Sequence, residues 1–364
     1  MKILFLGDLF FDYDMIPSDL NKLCDYIKEN DLKVILNLEG ALGKKENPIK
    51  KRGTNLMNNG KVIEVLKKMN VIAVCLANNH TMDFGGKTLL EELRLLDEAG
   101  IKYVGAGQSK NAAVSPLRLV FPDSTLNIQN YGWDIEETVY ANGNNSGCAG
   151  LIFNEVLDRT KQLRKKYPNE VLINCFHWGF EFNTYPMPRD IKFAHECIEA
   201  GCDIIIGHHP HVPQAHELFK EKHIYYSLGN FYFGSRRQLY NKCFPYDKHS
   251  NMCDYGLGVI FDTVTMKTTE IGVFYDHNTN TTVFNEQVDF FVDISNSAYD
   301  SSEYYHIVKK HSENINPILG LDEKKNQALL SSLNRKYWIA SRIRFIKKNR
   351  IGRFIFDTIK RIAH

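Results

Sequence analysis

The chain has eight cysteines in 364 residues, and no two of them stand at CxxC spacing. That excludes a zinc knuckle, and thiols scattered over a chain this long do not make a disulfide frame. Cys75 in "VIAVCLA" and Cys175 in "VLINCF" sit in apolar, strand-like runs and read as buried thiols of a reducing compartment. Long hydrophobic runs are missing too. No segment approaches the roughly 18 unbroken apolar residues of a membrane span. "MKILFLGDLFFD" offers only four apolar residues before Gly7 and Asp8, too few for a secretory segment. The expected location is the cytoplasm. Charge of one sign is also lacking, because 45 Lys and Arg against 43 Asp and Glu leave +2. Any electrostatic preference must therefore come from local asymmetry. No internal repeat and no low-complexity linker divides the chain. Its length allows one large domain, alone or with an appendage.

Short β-rich runs alternate with helical patterns through the first half. "KILFLG", "KVILNLEG", "VIAVCLANNH" and "KYVGAG" read as strands. Between them, "DLNKLCDYIKEN" (capped by Ser18), "KVIEVLKKMN" and "KTLLEELRLLDEAG" carry helical spacing. This predicts an α/β fold built on βαβ units. Residues 115–155 hold strand-like pieces and a polar loop. The alternation returns with "VLINCFHWG", a helix near 189–200, and "CDIIIGHH". "HIYYSLGNFYF", "GLGVIFDTV", "TEIGVFYD" and "TTVFNEQVDFFVDI" then follow without helices, suggesting an antiparallel second sheet packed on the first. From about Ser295 the pattern is helical. The expected division is a domain over 1–295 and a helical, basic extension over 296–364.

The polar groups cluster where strands end, the place at which open α/β sheets put their sites. Asp8, Glu39, the Asn78-Asn79-His80 run and His177 each close an apolar run, and "GHHPH" closes another with His208, His209 and His211. Carboxylates, a carboxamide oxygen and imidazoles together suit Mn, Fe or Zn better than Ca or Mg. Two such ions can activate a water and clamp both oxygens of a phosphoester displacement.

These residues carry a resemblance. "GD" at 7–8, "NLEG" at 37–40, "NNHTMDFG" at 78–85 and "GAG" at 105–107 occur in the order found in CapA-type capsule (poly-γ-glutamate) biosynthesis proteins. "HWGFEF" followed by "YP" at 177–186, "GCDIIIGHHPHVPQ" at 201–214 and "YSLGNF" at 226–231 continue the series. That family in turn resembles the calcineurin-like metallophosphoesterases. The resemblance implies a four-layer α-β-β-α sandwich with a site for one or two divalent ions. It puts Asp8, Glu39 and His211 on one metal, and Asn79, His177 and His209 on the other. His80 follows Asn79 as the catalytic histidine, expected to assist the leaving oxygen. Asp83, Glu181, His208 and Asn230 fall beside these positions. Glu181 either orients a ligand histidine or contacts substrate, Asn230 either fixes its loop or contacts substrate, and His208 is a neighbour of the His-x-His pair. One motif departs: where the superfamily has Asp-x-His, this chain reads Asp8-Leu9-Phe10.

Two functions follow from the resemblance. One is a metal-dependent phosphoesterase acting on a phosphorylated or anionic polymer precursor of capsule or exopolymer synthesis. The other is a non-catalytic accessory subunit of a polymer-synthesising membrane complex with a vestigial metal site. A separate signal lies in residues 335–364, where ten Lys and Arg face one acid, Asp357, among Trp338, Phe345, Phe354 and Phe356. Such a composition fits an interfacial helix on anionic lipid. The expectation is a peripheral contact at the inner face of the cell membrane, and no nucleic-acid partner.

Overall fold

The computed structural model describes residues 1–234 and 253–285, apart from 45, 52–53, 135–137, 277–278 and 280. Strand β1 (Lys2–Phe10) lies inside a sheet and is buried from Ile3 onward. A strand sends successive side chains to opposite faces. Leu4 and Leu6 accordingly join an apolar cluster with helical residues, while Ile3 and Phe5 join a second cluster. Both faces need cover, which is why "KILFL" is apolar without alternation. Strands β2 (Lys33–Leu38) and β3 (Val71–Cys75) obey the same rule. Val34, Leu36 and Val74 point to the first cluster, and Ile35, Ala73 and Cys75 to the second. β4 (Lys102–Val104) extends this sheet in parallel.

Helices α1 (Asn21–Glu29), α2 (Val62–Lys68) and α3 (Gly85–Ala99) cover the first cluster with Leu23, Ile27, Val65, Leu66, Leu89 and Leu96. Ser18 does not cap α1. It opens a 3₁₀ turn, Ser18–Leu20, and α1 starts after it without a side-chain cap. The short strands β5 (Ala106–Gly107) and β8 (Gly147–Cys148) form a ribbon of their own, next to the single turn α4 (Lys110–Ala113).

The second cluster is the seam between two sheets. Its far side comes from β7 (Thr125–Gly132), β9 (Val171–His177), β10 (Ile204–His208) and β12 (Lys222–Tyr225), which run parallel. Leu126, Ile128, Ile173, Cys175, Ile204 and Ile206 fill it. β6 (Leu117–Val120) and β11 (His216–Phe219) are its antiparallel edges. Helices α5 (Phe153–Lys166) and α6 (Pro188–Glu199) cover the outer face, with the Phe153 and Phe193 rings stacked at 4.0 Å and Phe193 at 5.4 Å from Phe176 of β9. The layers are therefore α-β-β-α. Sequence pattern passes over α5 because its buried residues, Val156 and Thr160, make only a thin stripe.

The late strands depart from expectation. β13 (Asn230–Phe233), β14 (Tyr255–Asp262), β15 (Thr268–Asp276) and β16 (Thr281–Asn285) form no separate second sheet. β14 to β16 run antiparallel off β1 and continue the first sheet, while β13 pairs in parallel with the end of β1. Alternation reveals an antiparallel strand but not its neighbour. Here the neighbour is set by Ile260 and Ile271 packing toward the helices and Val259 and Phe261 toward the seam. "HIYYSLGNFYF" is likewise two strands in two sheets, broken at Gly229, whose φ is +68°. The crossing is tight. A Cβ on Gly7 would meet the Gly229 carbonyl oxygen at 2.0 Å, and Asp8 N donates to that oxygen at 3.0 Å.

Glu92 of α3 is fully buried, with the Leu42 backbone beside its carboxylate. Burial pushes its carboxyl well above the usual range. A raised folded-state pKa gives stability that is present below the unfolded pKa and lost as pH rises through the folded one. Glu92→Met is therefore expected to stabilise the protein by about 1–3 kcal/mol at pH 8. The gain should shrink toward pH 4–5; thermal melts giving the same gain at both ends would contradict this.

Among the described residues, no helix is long and apolar enough to cross a membrane. Seven cysteines there, including Cys75 and Cys175, are free thiols. The expected helical extension over 296–364 lies outside the described residues, as does Cys243.

Candidate metal centre

The two sheets bring their strand ends to one place. Asp8 comes from β1, Glu39 from just beyond β2, Asn79 and His80 from beyond β3, and His177 from the end of β9. His208 closes β10, with His209 and His211 following, and Asn230 opens β13. None of these nine residues is more than 6% exposed. His209 and His211 hold φ of +98° and +57°, a region that non-glycine residues rarely occupy and that is retained where the surroundings demand it.

Asp8 is held from several sides. Asn37 Nδ2 donates to its Oδ1 at 2.8 Å, the His209 amide donates to Oδ2 at 3.2 Å, and His208 Nδ1 and His211 Nδ1 lie 3.3 and 3.4 Å away. Burial pushes this carboxyl up, but hydrogen bonds and charge from His208 and His211 outweigh it and hold Asp8 well below the usual range. Glu39 goes the other way: burial raises its carboxyl well above normal despite nearby His211. His211 Nε2 is 3.5 Å from Glu39 Oε1 and 3.9 Å from Glu181 Oε1, while Asn230 Oδ1 pairs with Nδ1 at 2.9 Å. Burial lowers the His211 pKa, yet Glu39, Asp8 and Glu181 together lift it to about 10. The carboxyl groups around His211 thus favour positive charge in the centre. A divalent cation fits that demand and would release the His211 proton.

Opposite stand two neutral imidazoles. His177 Nε2 is 2.9 Å from Asn79 Oδ1, and its ring centroid is 4.8 Å from that of His209. Burial, then neighbouring histidines, push His177 well down and His209 to about 3. His177 Nδ1 and both ring nitrogens of His209 have no hydrogen-bond partner among the described residues, nor has Glu39 Oε1. Buried polar atoms are rarely left so, and neutral imidazole nitrogens are metal donors. Two groups, Asp8-Glu39-His211 and Glu181-His209-His211, each have donor atoms within 4.8 Å of one another. The residues present fit a divalent metal.

His80 stands at the edge, with Nε2 3.7 Å from Glu39 Oε1. Its Nδ1 lies 2.8 Å from Asp83 Oδ2 and 2.9 Å from Lys51 Nζ. Burial and then the Lys51 charge, opposed by Asp83, lower its pKa to about 4. Asp83 is a hub that also accepts from Leu56 N at 2.6 Å and pairs with Lys51 Nζ at 2.5 Å. Lys51 is missed by sequence reasoning, because nothing distinguishes it from the other cations of "KKENPIKKRGTN". Asn37 is missed as well, although a polar residue inside the apolar run "VILNL" is a usable signal. All the expected residues lie in this one centre. His208 touches Asp8, Asn230 orients His211, and Phe10 packs on Phe233 at 5.5 Å, away from any polar partner role.

The layers and the polar centre at the strand ends make this an α-β-β-α sandwich with a candidate metal centre. Residues 2–235 match the family described as bacterial capsule synthesis protein PGA_cap, and the chain belongs to that family. It is 29% identical over 196 residues to the capsule biosynthesis protein CapA of Bacillus anthracis, covering 47% of this chain and 42% of that protein. It is 32% identical over 180 residues to the PGA biosynthesis protein CapA of Bacillus subtilis, covering 49% and 47%. The matched region thus spans less than half the length of these relatives. Among solved structures, a 5'-nucleotidase precursor from Thermus thermophilus aligns with a TM-score of 0.44 at 11% identity, over 78% of this chain and 54% of that one.

Proposed function

We propose that the chain is a metal-dependent phosphoesterase-type hydrolase acting on a phosphorylated intermediate of capsule or exopolymer synthesis. The observation that carries this reading is His209, a fully buried imidazole with both nitrogens lacking a hydrogen-bond partner among the described residues, beside His177 and His211. Asn79, His177 and His209 would hold one ion, and Asp8, Glu39 and His211 would hold the other. Bound divalent ions supply Lewis acidity to a phosphoryl oxygen and bring the pKa of a water toward neutrality.

The remaining work falls to the protein's own groups. Asn37 and Asn230 fix the Asp8 carboxylate and the His211 ring. His80, neutral at pH 7, has a donor (Lys51) and an acceptor (Asp83) on Nδ1, so its proton can occupy either nitrogen without ring movement. With the proton on Nε2 it donates to the oxygen that leaves phosphorus. The test is hydrolysis of an aryl phosphate diester by the metal-stripped and Mn-loaded chain. Turnover should require Mn and be lost in His80→Ala. A loaded protein whose turnover ignores Mn and survives His80→Ala would sink the hydrolase reading.

Phe10 favours a second reading. Its ring joins Leu56 and Phe233 in an apolar cluster where the resemblance puts a ligand histidine. An accessory subunit with a residual metal site would bind Mn yet hydrolyse neither phosphate monoesters nor diesters.

Residues 335–364, outside the described region, motivate a further element of the proposal: contact with anionic lipid. The full chain should sediment with phosphatidylglycerol vesicles but not with phosphatidylcholine ones, and deletion of 335–364 should abolish this. Unchanged sedimentation after deletion would refute the contact.

A further inference from the structure

We infer that Glu181 is a metal ligand that joins His209 and His211 at the mouth of the centre. The inference rests on the metal-site reading above. The space next to His211 that Phe10 borders is filled with carbon. Phe10 packs on Phe233, whose ring lies 4.8 Å from the His211 ring. A further donor to an ion at His211 must approach from another direction.

Glu181 does so from the loop after β9. The loop turns at Gly179 (φ +83°) and Phe182 (φ +61°), and it is pinned against the histidine segment by Phe182 N donating to Pro210 O at 2.7 Å. A Cβ on Gly179 would already lie 3.3 Å from the Pro210 ring, so the two segments touch. This seats Glu181 Oε1 3.9 Å from His211 Nε2, the nitrogen that also faces Glu39 Oε1 at 3.5 Å. Donors about 2.0–2.2 Å from one ion are roughly 3.0–4.2 Å apart. The Glu181–His211 separation falls in that range, and donor atoms of Glu181, His209 and His211 all lie within 4.8 Å of one another. The pairing of Nδ1 with Asn230 turns Nε2 toward the two carboxylates. Glu39 Oε1, buried and lacking a hydrogen-bond partner among the described residues, points independently to a cation here. Glu181 keeps 27% side-chain exposure, so it stands at the mouth, where an ion enters.

Glu181 adds a carboxylate oxygen to the imidazole nitrogens of His209 and His211, so its replacement by histidine would make that set all-imidazole. Oxygen-rich sets suit Mn(II), whereas imidazole-rich ones suit Zn(II) and Fe(II).

The experiment is metal analysis and Mn(II) electron paramagnetic resonance on the full chain, stripped with chelator and titrated with MnCl2 or ZnCl2 alone. Wild type should take two Mn ions. Glu181→Gln should weaken one of them by about 10–100-fold or more, leave the other and the far-ultraviolet circular dichroism unchanged, and leave the tighter Zn ion in place. Glu181→His should shift the affected site toward Zn. If Glu181→Gln holds both Mn ions at wild-type affinity, Glu181 is no ligand and the inference is overturned while the metal reading stands. If wild type binds neither Mn nor Zn, the metal reading itself fails, and this inference with it.

Discussion

His209→Ala is expected to lose one bound divalent ion and to cut metal-dependent turnover by at least about 100-fold, because even the partners that merely orient ligands are worth about 10–100-fold. The metal-free protein should still fold. The imidazole nitrogens have no hydrogen-bond partner among the described residues, so no such bond there is broken by their removal. What disappears is metal-induced stabilisation, about 2.7 kcal/mol for an ion at a hundred times its Kd. Thermal melts with and without Mn separate the two effects. A variant that keeps the full Mn-induced rise in Tm would show that His209 is not a ligand.

Lys51→Met is expected to have the largest effect on stability. Lys51 and Asp83 side chains are both 0% exposed and pair at 2.5 Å. Removing one partner of a buried pair leaves an uncompensated charge and costs about 3–5 kcal/mol. Asp83→Asn should cost a similar amount. The double variant should recover much of the loss, since both charges are then gone, and urea denaturation of the four proteins measures the coupling. The substitution also reports on His80. The Lys51 charge lowers the His80 pKa while Asp83 raises it. Without the lysine the His80 pKa rises, so the acid limb of the activity profile, set by loss of neutral His80, moves toward neutral pH. An unmoved limb, in a variant that folds and binds Mn, would remove His80 from the chemistry.

How much of this was legible in the sequence depends on how local each feature is. Asp8, Glu39, Asn79, His177 and the His-x-His pair could be read because each closes its own apolar run, and a parallel sheet carries such ends to one edge. The helix-covered and sheet-covered faces were also implicit, since β1 to β3 are apolar on both. The placing of β14 to β16 was not. Their alternation fits any antiparallel neighbour, and the choice of β1 is made by side chains more than 250 positions away, such as Ile3 opposite Phe261. The break in "HIYYSLGNFYF" depends on Gly7 and Gly229 meeting at van der Waals limits, which no pattern in either segment announces. Lys51 was hidden for a similar reason. Its loop is tied back by Ile49 N and Asn55 Nδ2, which both donate to Asp83 O, far along the chain. Phe10 was legible as a departure from Asp-x-His and Glu181 as a residue beside the site, whereas the approach of Glu181 to His211 Nε2 needed the structure.

The buried set of carboxylates and imidazoles is expected to hold divalent metal. The direct measurement is elemental analysis of the full chain after chelator stripping, incubation with excess MnCl2 and gel filtration. About two Mn ions per chain are expected, falling to one in His209→Ala. Wild-type protein emerging with no bound Mn, and none when Zn is substituted, would contradict that expectation.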